Sequence, residues 1–345
     1  MKISVIILNY NGKKHLYDCL KSVLVQTFTD FEVIFVDNSS EDGSVDFIKQ
    51  NFEDERIIIV TSEKNLGFAG GNNLGLKHSG GEYIVLLNND TVVDKDWLKY
   101  LYDIINPDEN IGIAQSLVRT EGVPEKYYLK NGTLNLLGHN IMEVFDINED
   151  GTGEIFQANG CSMIIRKELL DSFGGLFLDE YFAYAEDSYL SFKVKFAGLK
   201  IMHTSKSIVI HKGSATTKKY KSSFRTFLQE RNRLLNFLIF FSRSFRLKYF
   251  PILVFNLKLK LIMSLFSGKY SFSGVCRAYW WLIKNRKWIK EQREKEDMIK
   301  RINEKDVIKL LSGKVFNGEH IVGRFFNFFS LLYCRIVNIK VIEIK

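Results

Sequence analysis

The sequence contains few of the residues that crosslink or interrupt a folded chain. It has four cysteines and three prolines in 345 residues, and the cysteines are scattered without a Cys-x-x-Cys pair. This pattern argues against a disulfide framework or a cysteine metal cluster and favours a reducing cytoplasm. With 46% hydrophobic and 26% charged residues, the scarcity of proline also argues against long disordered tracts.

A secretory signal is not apparent. The stretch "MKISVIILNYNG" has neither a basic n-region nor a small-residue cleavage site, and it predicts a first strand. The two most apolar windows of the C-terminal half, residues 247–266 and 321–342, are interrupted by Lys258, Lys260, Arg324, Arg335 and Lys340. A charge at the centre of a bilayer costs roughly 2.5–3.5 kcal/mol on insertion scales. An interfacial helix is therefore favoured over a spanning one.

Acidic residues are absent from one long stretch. Between Glu230 and Glu291 there are 13 lysines or arginines and no acid, interleaved with apolar patches such as "LLNFLIFF". Residues 1–218 carry 21 basic and 31 acidic side chains, whereas residues 219–345 carry 27 and 9. A basic, apolar segment of this kind is typical of helices at an anionic membrane surface. The alternative, a nucleic-acid-binding face, requires less exposed aliphatic surface, and we expect no nucleic acid partner.

The first half alternates short apolar runs with amphipathic stretches. Strands are predicted at 3–8, 31–37, 56–62 and 82–88, and helices at 15–26, 43–52 and 70–78. Further strands are predicted around 111–118 and 141–147, and then a strand, a helix, a glycine turn and a helix beginning near Glu186. This order indicates an α/β fold with a Rossmann-like, mostly parallel sheet and helices on both faces. Because 345 residues exceed one core, we expect an α/β domain at 1–218 and a basic, mainly helical region at 219–345.

A polar cluster follows each of the first four predicted strands. The clusters are "NYNG", "DNSSEDGS", "EKNLGFAGGNN" and "NNDT". In open parallel sheets, ligands bind beyond the carboxyl ends of the strands. These four loops therefore predict one binding edge.

Two of the loops have features of a nucleotide site. Asp37 can accept hydrogen bonds from a nucleoside imide or ribose, although it could instead cap the helix near Gly43, a role that Ser40 or Asp42 would fill more simply. The glycine-rich "GFAGGNNLG" resembles a phosphate-binding turn, but it is neither a Gly-x-Gly-x-x-Gly nor a Walker sequence and is weak evidence alone. Its neighbouring asparagines suit a sugar or ribose.

Three further positions could carry chemistry. Asp90 ends an apolar strand and is a candidate ligand for a divalent cation, or else a cap for the next helix. Glu186 and Asp187 lie at a predicted helix start, where one could face a cleft, or where both could simply complement the helix dipole. His211 follows the strand-like "SIVI", and a lone histidine is more often structural.

Together these motifs resemble the family 2 glycosyltransferases, which have the GT-A nucleotide-sugar-binding fold. The resemblance covers residues 2–216 in motif order through "SVIILNYNG", "VDNSSEDGS", "NLGFAGGNNLG", "LLNNDT", "GCSMIIRKELLDSFGG" with its continuation "LFLDEYFAYAEDSYLSFKVKFAG", and "HKGSAT". The pattern is most similar to the rhamnosyltransferase-like branch, whose members assemble cell-surface polysaccharides.

The resemblance implies roles for specific residues. The positions that would contact the donor are Asn9, Tyr10, Asn11, Asp37, Asn65, Gly67, Asn72 and Asn89. Asp90 would be the metal-binding acid of an Asp-x-Asp motif, completed by His211, and the ion would be Mg²⁺ or Mn²⁺. Asp187, beside Glu186, would be the catalytic base. Two positions depart from the pattern, because Asn88 replaces an acid of the Asp-x-Asp motif and Tyr189 replaces an acid two residues after Asp187.

The resemblance implies an inverting transfer of a sugar from a nucleotide-diphosphate sugar to a hydroxyl of a saccharide or lipid-linked acceptor. With the basic region, it implies a cytoplasmic enzyme that is peripheral on the inner face of the cell membrane. The departures at Asn88 and Tyr189 leave open a catalytically inactive nucleotide-sugar-binding or assembly protein. A nucleotidyltransferase is a third possibility, but the loop after the first strand, "NYNGKK", lacks the expected Gly- and Lys-rich signature.

Overall fold

The chain forms two compact units. The computed structural model describes residues 1–123, 132–141, 147–213, 223–266, 270–316 and 321–342. The first unit comprises residues 1–129, 145–190 and 199–214, and the second comprises residues 130–144, 191–198 and 215–345. The domain boundary predicted at residue 218 lies outside the described residues and stays a prediction.

Eleven strands are formed by the described residues. They are β1 (Ile3–Asn9), β2 (Phe31–Asp37), β3 (Ile57–Thr61), β4 (Tyr83–Asn88), β5 (Thr91–Val93), β6 (Ile111–Thr120), β7 (Thr133–Leu134), β8 (Asn140–Ile141), β9 (Thr152–Ile155), β10 (Ser162–Arg166) and β11 (Lys200–His211).

Twelve α-helices are formed by the same described part of the chain. They are α1 (Lys13–Leu24), α2 (Ser44–Asn51), α3 (Gly67–Lys77), α4 (Trp97–Ile105), α5 (Lys167–Ser172), α6 (Glu186–Phe196), α7 (Ser223–Phe240), α8 (Arg243–Phe266), α9 (Phe272–Lys284), α10 (Arg286–Ile299), α11 (Glu304–Ile308) and α12 (Ile321–Ile336).

The first unit is built on one sheet with the strand order β3-β2-β1-β4-β10-β6-β11-β5, and β9 pairs with β11. The strands β3, β2, β1 and β4 are parallel, and β11 is parallel to β6. Strands β10, β9 and β5 run antiparallel to their neighbours. The predicted α/β fold is confirmed, and the antiparallel strands all lie on the side of the sheet beyond β4.

Helices cover both faces of this sheet because its strands carry apolar side chains on both faces. Ile3, Val5 and Ile7 of β1 join a buried core with residues of α1 and α4. On the opposite face, α3 approaches so closely that a Cβ atom at Gly75 would lie 2.5 Å from the Ile6 side chain. Glycine at this position therefore sets the distance between helix and sheet.

The carboxyl ends of the central strands meet at one edge. In the parallel register, Asn9 of β1 pairs with Asp37 of β2, and Leu8 pairs with Asn88 of β4. The polar loops after β1, β2 and β4 consequently start side by side. The strand predicted at 141–147 is described only as far as β8, because residues 142–146 lie outside the described residues.

The second unit is helical apart from the short β7–β8 pair, within the residues described. Its interior contains stacked aromatic rings from α7 and α8, with Phe237 and Tyr249 having ring centroids 5.1 Å apart. Helix α12 packs against α8, since the Phe255 and Phe326 rings are 5.3 Å apart and the Tyr333 hydroxyl donates to the Lys248 carbonyl at 2.7 Å. Among the described helices, α8 alone is long and apolar enough to cross a membrane on length and composition, with 22% of its apolar window buried.

Candidate active site

Asn9, Asp37 and Asn89 form a hydrogen-bonded group at the carboxyl edge of the sheet. The Asn9 amide nitrogen donates to Asp37 Oδ1 at 3.1 Å, and the Asn89 amide nitrogen donates to Asn9 Oδ1 at 2.6 Å. Asp37 is 4% exposed and also accepts from the Ser40 backbone N–H at 2.9 Å. At the start of α2 it is Asp42, rather than Asp37, that accepts from the Ser44 N–H. The helix-cap interpretation of Asp37 is therefore wrong.

Asn11 connects the loop after β1 to the loop after β2. Its backbone N–H donates to Ser40 Oγ at 2.9 Å, and its side-chain oxygen accepts from the Glu41 N–H at 2.8 Å. Asn11 has φ 51°, a left-handed conformation that asparagine tolerates better than most residues. Tyr10 precedes it and is half-buried.

The glycine-rich segment begins α3 at Gly67, three residues earlier than predicted. Gly67 has φ 72°, and a Cβ atom there would lie 2.3 Å from the Phe182 carbonyl oxygen. Its N–H donates to Asn65 Oδ1 at 2.8 Å, so Asn65 and Gly67 form one turn. Asn72 is buried and donates to the Phe68 carbonyl in its own helix at 2.8 Å. No described hydrogen bond joins Asn72 to the other predicted donor-binding residues.

Asn38 is a site residue that the sequence reasoning missed. Its amide donates to Asn65 Oδ1 and to the Gly67 carbonyl, both at 3.1 Å, and its oxygen accepts from the Leu66 N–H at 2.9 Å. Asn38 thereby fixes the turn at the start of α3 against the end of β2. Its position directly after Asp37 was the available signal.

Asp90 and His211 are in direct contact. His211 Nε2 lies 3.1 Å from Asp90 Oδ1, because β5 pairs with β11 so that Thr91 is opposite His211. Both side chains are largely buried, with exposed fractions of 13% and 18%. Burial works against a charge on Asp90, but the hydrogen bond from His211 and the field of His211 and His15 outweigh it and lower the pKa of Asp90 below its ordinary value.

This pair of donors fits a divalent cation that takes its other ligands from a bound diphosphate and water. The Asp90 carboxylate oxygen and the His211 ring nitrogen lie 3.1 Å apart, so both could face one cation in place of the hydrogen bond between them. The described residues contain no group of three histidine, cysteine or acidic side chains arranged to hold a metal. A site at Asp90 and His211 would thus depend on the ligand for completion.

His15 is a second residue that the sequence reasoning missed. It lies in the first turn of α1, where burial lowers the pKa of its imidazole and the charge on Asp90 opposes that shift. Its Nε2 atom is buried and has no hydrogen-bond partner within the part of the chain that the structure describes. The only sequence signal was its place five residues after Tyr10, in the helix that follows β1.

Glu186 and Asp187 begin α6 after a loop with unusual backbone geometry. Phe182, Tyr184 and Ala185 have φ angles of 58°, 73° and 63°, a region that residues other than glycine rarely adopt. Such conformations persist where the surrounding structure fixes them, and they concentrate at functional sites. The predicted start of this helix near Glu186 is confirmed.

Both carboxyl groups have raised pKa values. Burial raises the pKa of Asp187, while hydrogen bonds from the Ser188 and Gly160 backbone and from the Gln157 side chain oppose the shift. The Ser188 N–H is 2.7 Å from Asp187 Oδ1. Glu186 is more deeply buried, and its Oε2 has no hydrogen-bond partner among the residues described. Burial together with the charge of Asp187 raises the pKa of Glu186 to about 8.

Two backbone contacts connect this acidic pair to the sheet edge. The Asn88 N–H donates to the Cys161 carbonyl at 3.0 Å, which joins the Gly160 loop beside Asp187 to the end of β4. The Ala69 N–H donates to the Phe182 carbonyl at 3.1 Å, which joins the loop before Glu186 to α3. Residues 37, 90, 187 and 211, which the sequence analysis assigned to donor binding, metal binding and proton transfer, are therefore linked to the same edge of the sheet.

Comparisons with known proteins agree with this arrangement. Residues 4–173 match the model of glycosyl transferase family 2, so this segment of the chain has the sequence of that family. It is 26% identical over 253 residues to the glycosyltransferase GlyA of Streptococcus pneumoniae serotype 4, covering 68% of this chain and 34% of GlyA. It is 25% identical over 279 residues to the low-salt glycan biosynthesis hexosyltransferase Agl10 of Haloferax volcanii, covering 78% and 87%. The chain thus spans about a third of GlyA and most of Agl10.

Solved structures share the GT-A fold. TarS 1–349 of S. aureus in complex with UDP superposes with a TM-score of 0.52 at 18% identity, covering 98% of this chain and 90% of that one. A mannosyltransferase of Pyrobaculum calidifontis, crystallised with GDP-Man and Mn²⁺, gives 0.51 at 16% identity, with 86% of each chain covered. GalNAc-T7, crystallised with UDP, GalNAc and Mn²⁺, gives 0.63 at 15% identity, with 83% and 57% covered.

Proposed function

We propose that the protein is an inverting glycosyltransferase that moves a sugar from a nucleotide-diphosphate sugar to a hydroxyl of a saccharide or lipid-linked acceptor. The observation that carries this proposal is the contact of Asp90 with His211 at the sheet edge to which the Asp187 loop is also joined. Asp90 and His211 would provide a site for the cation that binds the diphosphate, and Asp187 would provide the carboxylate base.

Donor binding is assigned to the loops after β1, β2 and β3. Asp37 and Asn9 are fixed by their mutual hydrogen bond, which favours binding of a nucleoside without rearrangement. The Asn65–Gly67 turn would line the ribose and diphosphate, and Tyr10 and Asn11 would border the base. The solved relatives contain UDP or GDP-Man, which supports a nucleotide-sugar donor here.

Asp90 and His211 would hold Mg²⁺ or Mn²⁺. When bound, the ion supplies positive charge that neutralises the diphosphate leaving group. The pKa of Asp90 lies below its ordinary value, so this carboxylate is ionised and ready to bind a cation at neutral pH. Mn²⁺ in two of the solved relatives supports a divalent ion.

Asp187 would accept the proton of the acceptor hydroxyl. The acceptor oxygen forms a bond to the anomeric carbon while the bond from that carbon to the diphosphate oxygen breaks, and the nucleoside diphosphate leaves. The raised pKa of Asp187 strengthens it as a base, because proton transfer is most efficient when the pKa of the base is near the working pH. Glu186, whose pKa is raised to about 8, would stay largely protonated at neutral pH and would therefore add little negative charge beside Asp187. A single displacement of this kind inverts the anomeric configuration.

Membrane association is assigned to α8 and α12 of the second unit. Their outer faces expose Phe250, Ile262 and Leu265 on α8 and Phe325, Phe328 and Phe329 on α12. Basic residues such as Lys258 and Arg324 are exposed among them. Apolar side chains flanked by cations suit an anionic bilayer surface. We therefore propose a peripheral location on the inner face of the cell membrane. The name of Agl10, a glycan biosynthesis hexosyltransferase, supports a role in glycan assembly, which we propose takes place for the cell surface.

The decisive experiment measures nucleoside diphosphate release from a panel of nucleotide sugars with Mn²⁺ present. The active donor should be hydrolysed slowly without acceptor, and Asp90→Ala should abolish the release while leaving circular dichroism unchanged. Asp103→Asn, an exposed acid in α4, is the matched control and should retain full activity. Unchanged turnover in a folded Asp90→Ala protein would refute the proposal, and release of inorganic diphosphate would indicate a nucleotidyltransferase.

A catalytically inactive nucleotide-sugar-binding protein is the second candidate. It is motivated by Asn88, which replaces a family acid next to the proposed metal site. The other departure has a structural explanation, because Tyr189 is 2% exposed and packs on Tyr181 with ring centroids 5.4 Å apart. Tight binding of one donor with no turnover across a panel of acceptors would favour this candidate.

A further inference from the structure

The second unit contains a cavity of about 320 Å³ that is lined on one side by polar and on the other by apolar residues. Lys260, Asn256 and His139 provide the polar side, and Phe255, Leu259 and Met263 provide the apolar side. This volume is within the range of small-molecule sites. None of the residues predicted for glycosyl transfer lines it, so the cavity needs a separate explanation.

Lys260 of the polar side belongs to a buried cluster that contains two basic groups and one carboxylate. Glu230 of α7 accepts from Arg233 at 2.6 Å and also from Lys260, so its two oxygens are each used by one cation. His139, which contacts Lys260 at 3.2 Å, is held neutral because burial and the neighbouring Arg233 and Lys260 lower its pKa well below the ordinary value. One carboxylate therefore balances only one of two buried cations.

The described lining of the cavity offers no acid to balance the second cation. Burial and the nearby Arg233 consequently lower the pKa of Lys260 to about 7, although Glu230 opposes the shift. An ammonium group has three donors, and the described hydrogen bonds of Lys260 use two of them, to Glu230 and to His139. Its Nζ atom also lies 5.1 Å from the centroid of the Tyr270 ring, a weaker contact than an ion pair. A bound anion would still gain a charge-assisted hydrogen bond from Lys260 and would favour its protonated form.

A second buried donor points to the same kind of ligand. Asn256 is 3% exposed, lies one helical turn before Lys260 and lines the cavity. Among the described residues its Nδ2 atom has no hydrogen-bond partner. It is near enough to the Tyr279 hydroxyl to affect the pKa of that group, but the two do not form a hydrogen bond of normal geometry. A buried N–H group without an acceptor costs free energy that a bound oxygen would recover.

The apolar side continues to the surface of the molecule. Phe255, Leu259 and Met263 repeat every four residues along α8 and form an apolar row beside the row of Asn256 and Lys260. Phe255 is 39% exposed and packs against Phe326 of α12, so the apolar row reaches the face of α8 and α12 that is rich in exposed aromatic and aliphatic side chains. A hydrocarbon chain could leave the cavity along this row.

We propose that this cavity binds an anionic amphiphile, with its phosphate or carboxylate at Lys260 and Asn256 and its hydrocarbon chain along Phe255, Leu259 and Met263. The inference extends the proposed membrane contact of the second unit but does not depend on glycosyl transfer. An amphiphile that is dissolved as a monomer tests it without any bilayer, so failure of this site and failure of membrane association are distinguishable.

The test titrates the full-length protein with decanoyl glycerol phosphate below its micelle concentration, using isothermal calorimetry. The wild type should bind this probe at least about tenfold more tightly than inorganic phosphate or the matching phosphocholine, and a ligand specific for the native state should raise Tm. Lys260→Met should weaken binding about tenfold or more, because a charge-assisted hydrogen bond is lost. This variant leaves the Glu230–Arg233 pair balanced, which favours folding.

Lys287→Met is the matched control, since Lys287 of α10 is exposed, does not line the cavity and lies outside the helices assigned to the membrane. It should bind the probe within about twofold of the wild type, because the bound anion would be far more weakly coupled to a solvent-screened charge. Asn256→Leu provides a second variant in case Lys260→Met fails to fold, and it should weaken binding severalfold. Equal losses in Lys287→Met and Lys260→Met would overturn the proposal, as would equal affinity for inorganic phosphate or the absence of binding to the wild type.

Discussion

The two units of this protein both bury charged groups, but they do so in different ways. In the first unit, the buried acids lie at the ends of strands or at the start of α6, and several are held by backbone N–H groups, as Asp37 is by Ser40. In the second unit, buried charges lie within helices and pair with each other, as Lys193 of α6 does with Glu296 of α10 at 3.3 Å. Acids held by the backbone remain available to a ligand, whereas acids paired with cations mainly stabilise helix packing.

Among the substitutions that test this difference between the units, Asp187→Asn is expected to have the largest effect, a fall in kcat. Loss of the base should lower kcat about 100- to 10,000-fold, while donor affinity stays nearly unchanged, because the donor loops do not depend on its charge. Steady-state kinetics and donor titration measure the two quantities. Asp171→Asn, an exposed position in α5, is the control and should behave as the wild type. A parallel loss of donor binding would mean that Asp187 acts structurally.

In the second unit, Glu230→Gln should affect stability rather than turnover chemistry. It removes the only carboxylate that contacts Arg233 and Lys260 among the described residues and leaves two cations buried, so the unfolding free energy should fall by about 3–5 kcal/mol. Chemical denaturation measures this change. Asp103→Asn, which breaks an exposed pair with Lys99, should leave the unfolding free energy nearly unchanged. Equal effects of the two substitutions would contradict the comparison.

Exposed apolar residues also distinguish the units. The double substitution Phe328→Ser and Phe329→Ser should weaken co-sedimentation with anionic liposomes about tenfold or more, because two partly exposed aromatic side chains would no longer insert. Val25→Ser, at an exposed apolar position of the first unit, should leave it unaltered. Liposome binding that persists in the double variant would contradict the assignment of α12 to the membrane.

The smallest expected effect is a shift in the pH dependence of kcat/KM. Because burial raises the pKa of Asp187, its base form is lost as the pH falls through a value above the usual aspartate range of about 4. The kcat/KM value should therefore decline on the acid side with a midpoint higher than an ordinary aspartate gives, and Asp187→Asn should remove this limb. A pH–rate profile measures it, and an acid limb that persists in Asp187→Asn would assign it to another group.

Much of the first unit was predictable because its signals are local. Alternating apolar runs identify β1 to β4, and the carboxyl ends of parallel strands must share an edge, so the neighbourhood of Asn9, Asp37 and Asn89 follows from the sequence pattern. The start of α3 was misplaced because Gly67 adopts a left-handed conformation set by the distant Phe182 carbonyl. His15 was missed because its approach to Asp90 depends on how α1 packs.

The second unit was less accessible to sequence reasoning. Its basic, helical character follows from composition, but the cluster at Lys260 joins side chains from α7, α8 and the segment 132–141, which are far apart in the chain. Buried charges that pair between distant segments produce no periodic pattern in the sequence from which the pairing could be predicted. The sequence analysis placed residues 130–144 in the first domain, whereas they belong to the second unit. The mixed polarity of this segment gave no signal that would have assigned it.

The left-handed backbone at Phe182, Tyr184 and Ala185 has a consequence for evolution and design. Glycine would adopt these angles easily, yet all three positions carry side chains, which reduce the number of conformations open to the unbound loop. In the proposed mechanism, this loop would hold Asp187 near its working orientation before the sugar binds. Three glycines would allow the same backbone angles but also many other conformations. The loop would then have to reach its ordered conformation again in each catalytic cycle.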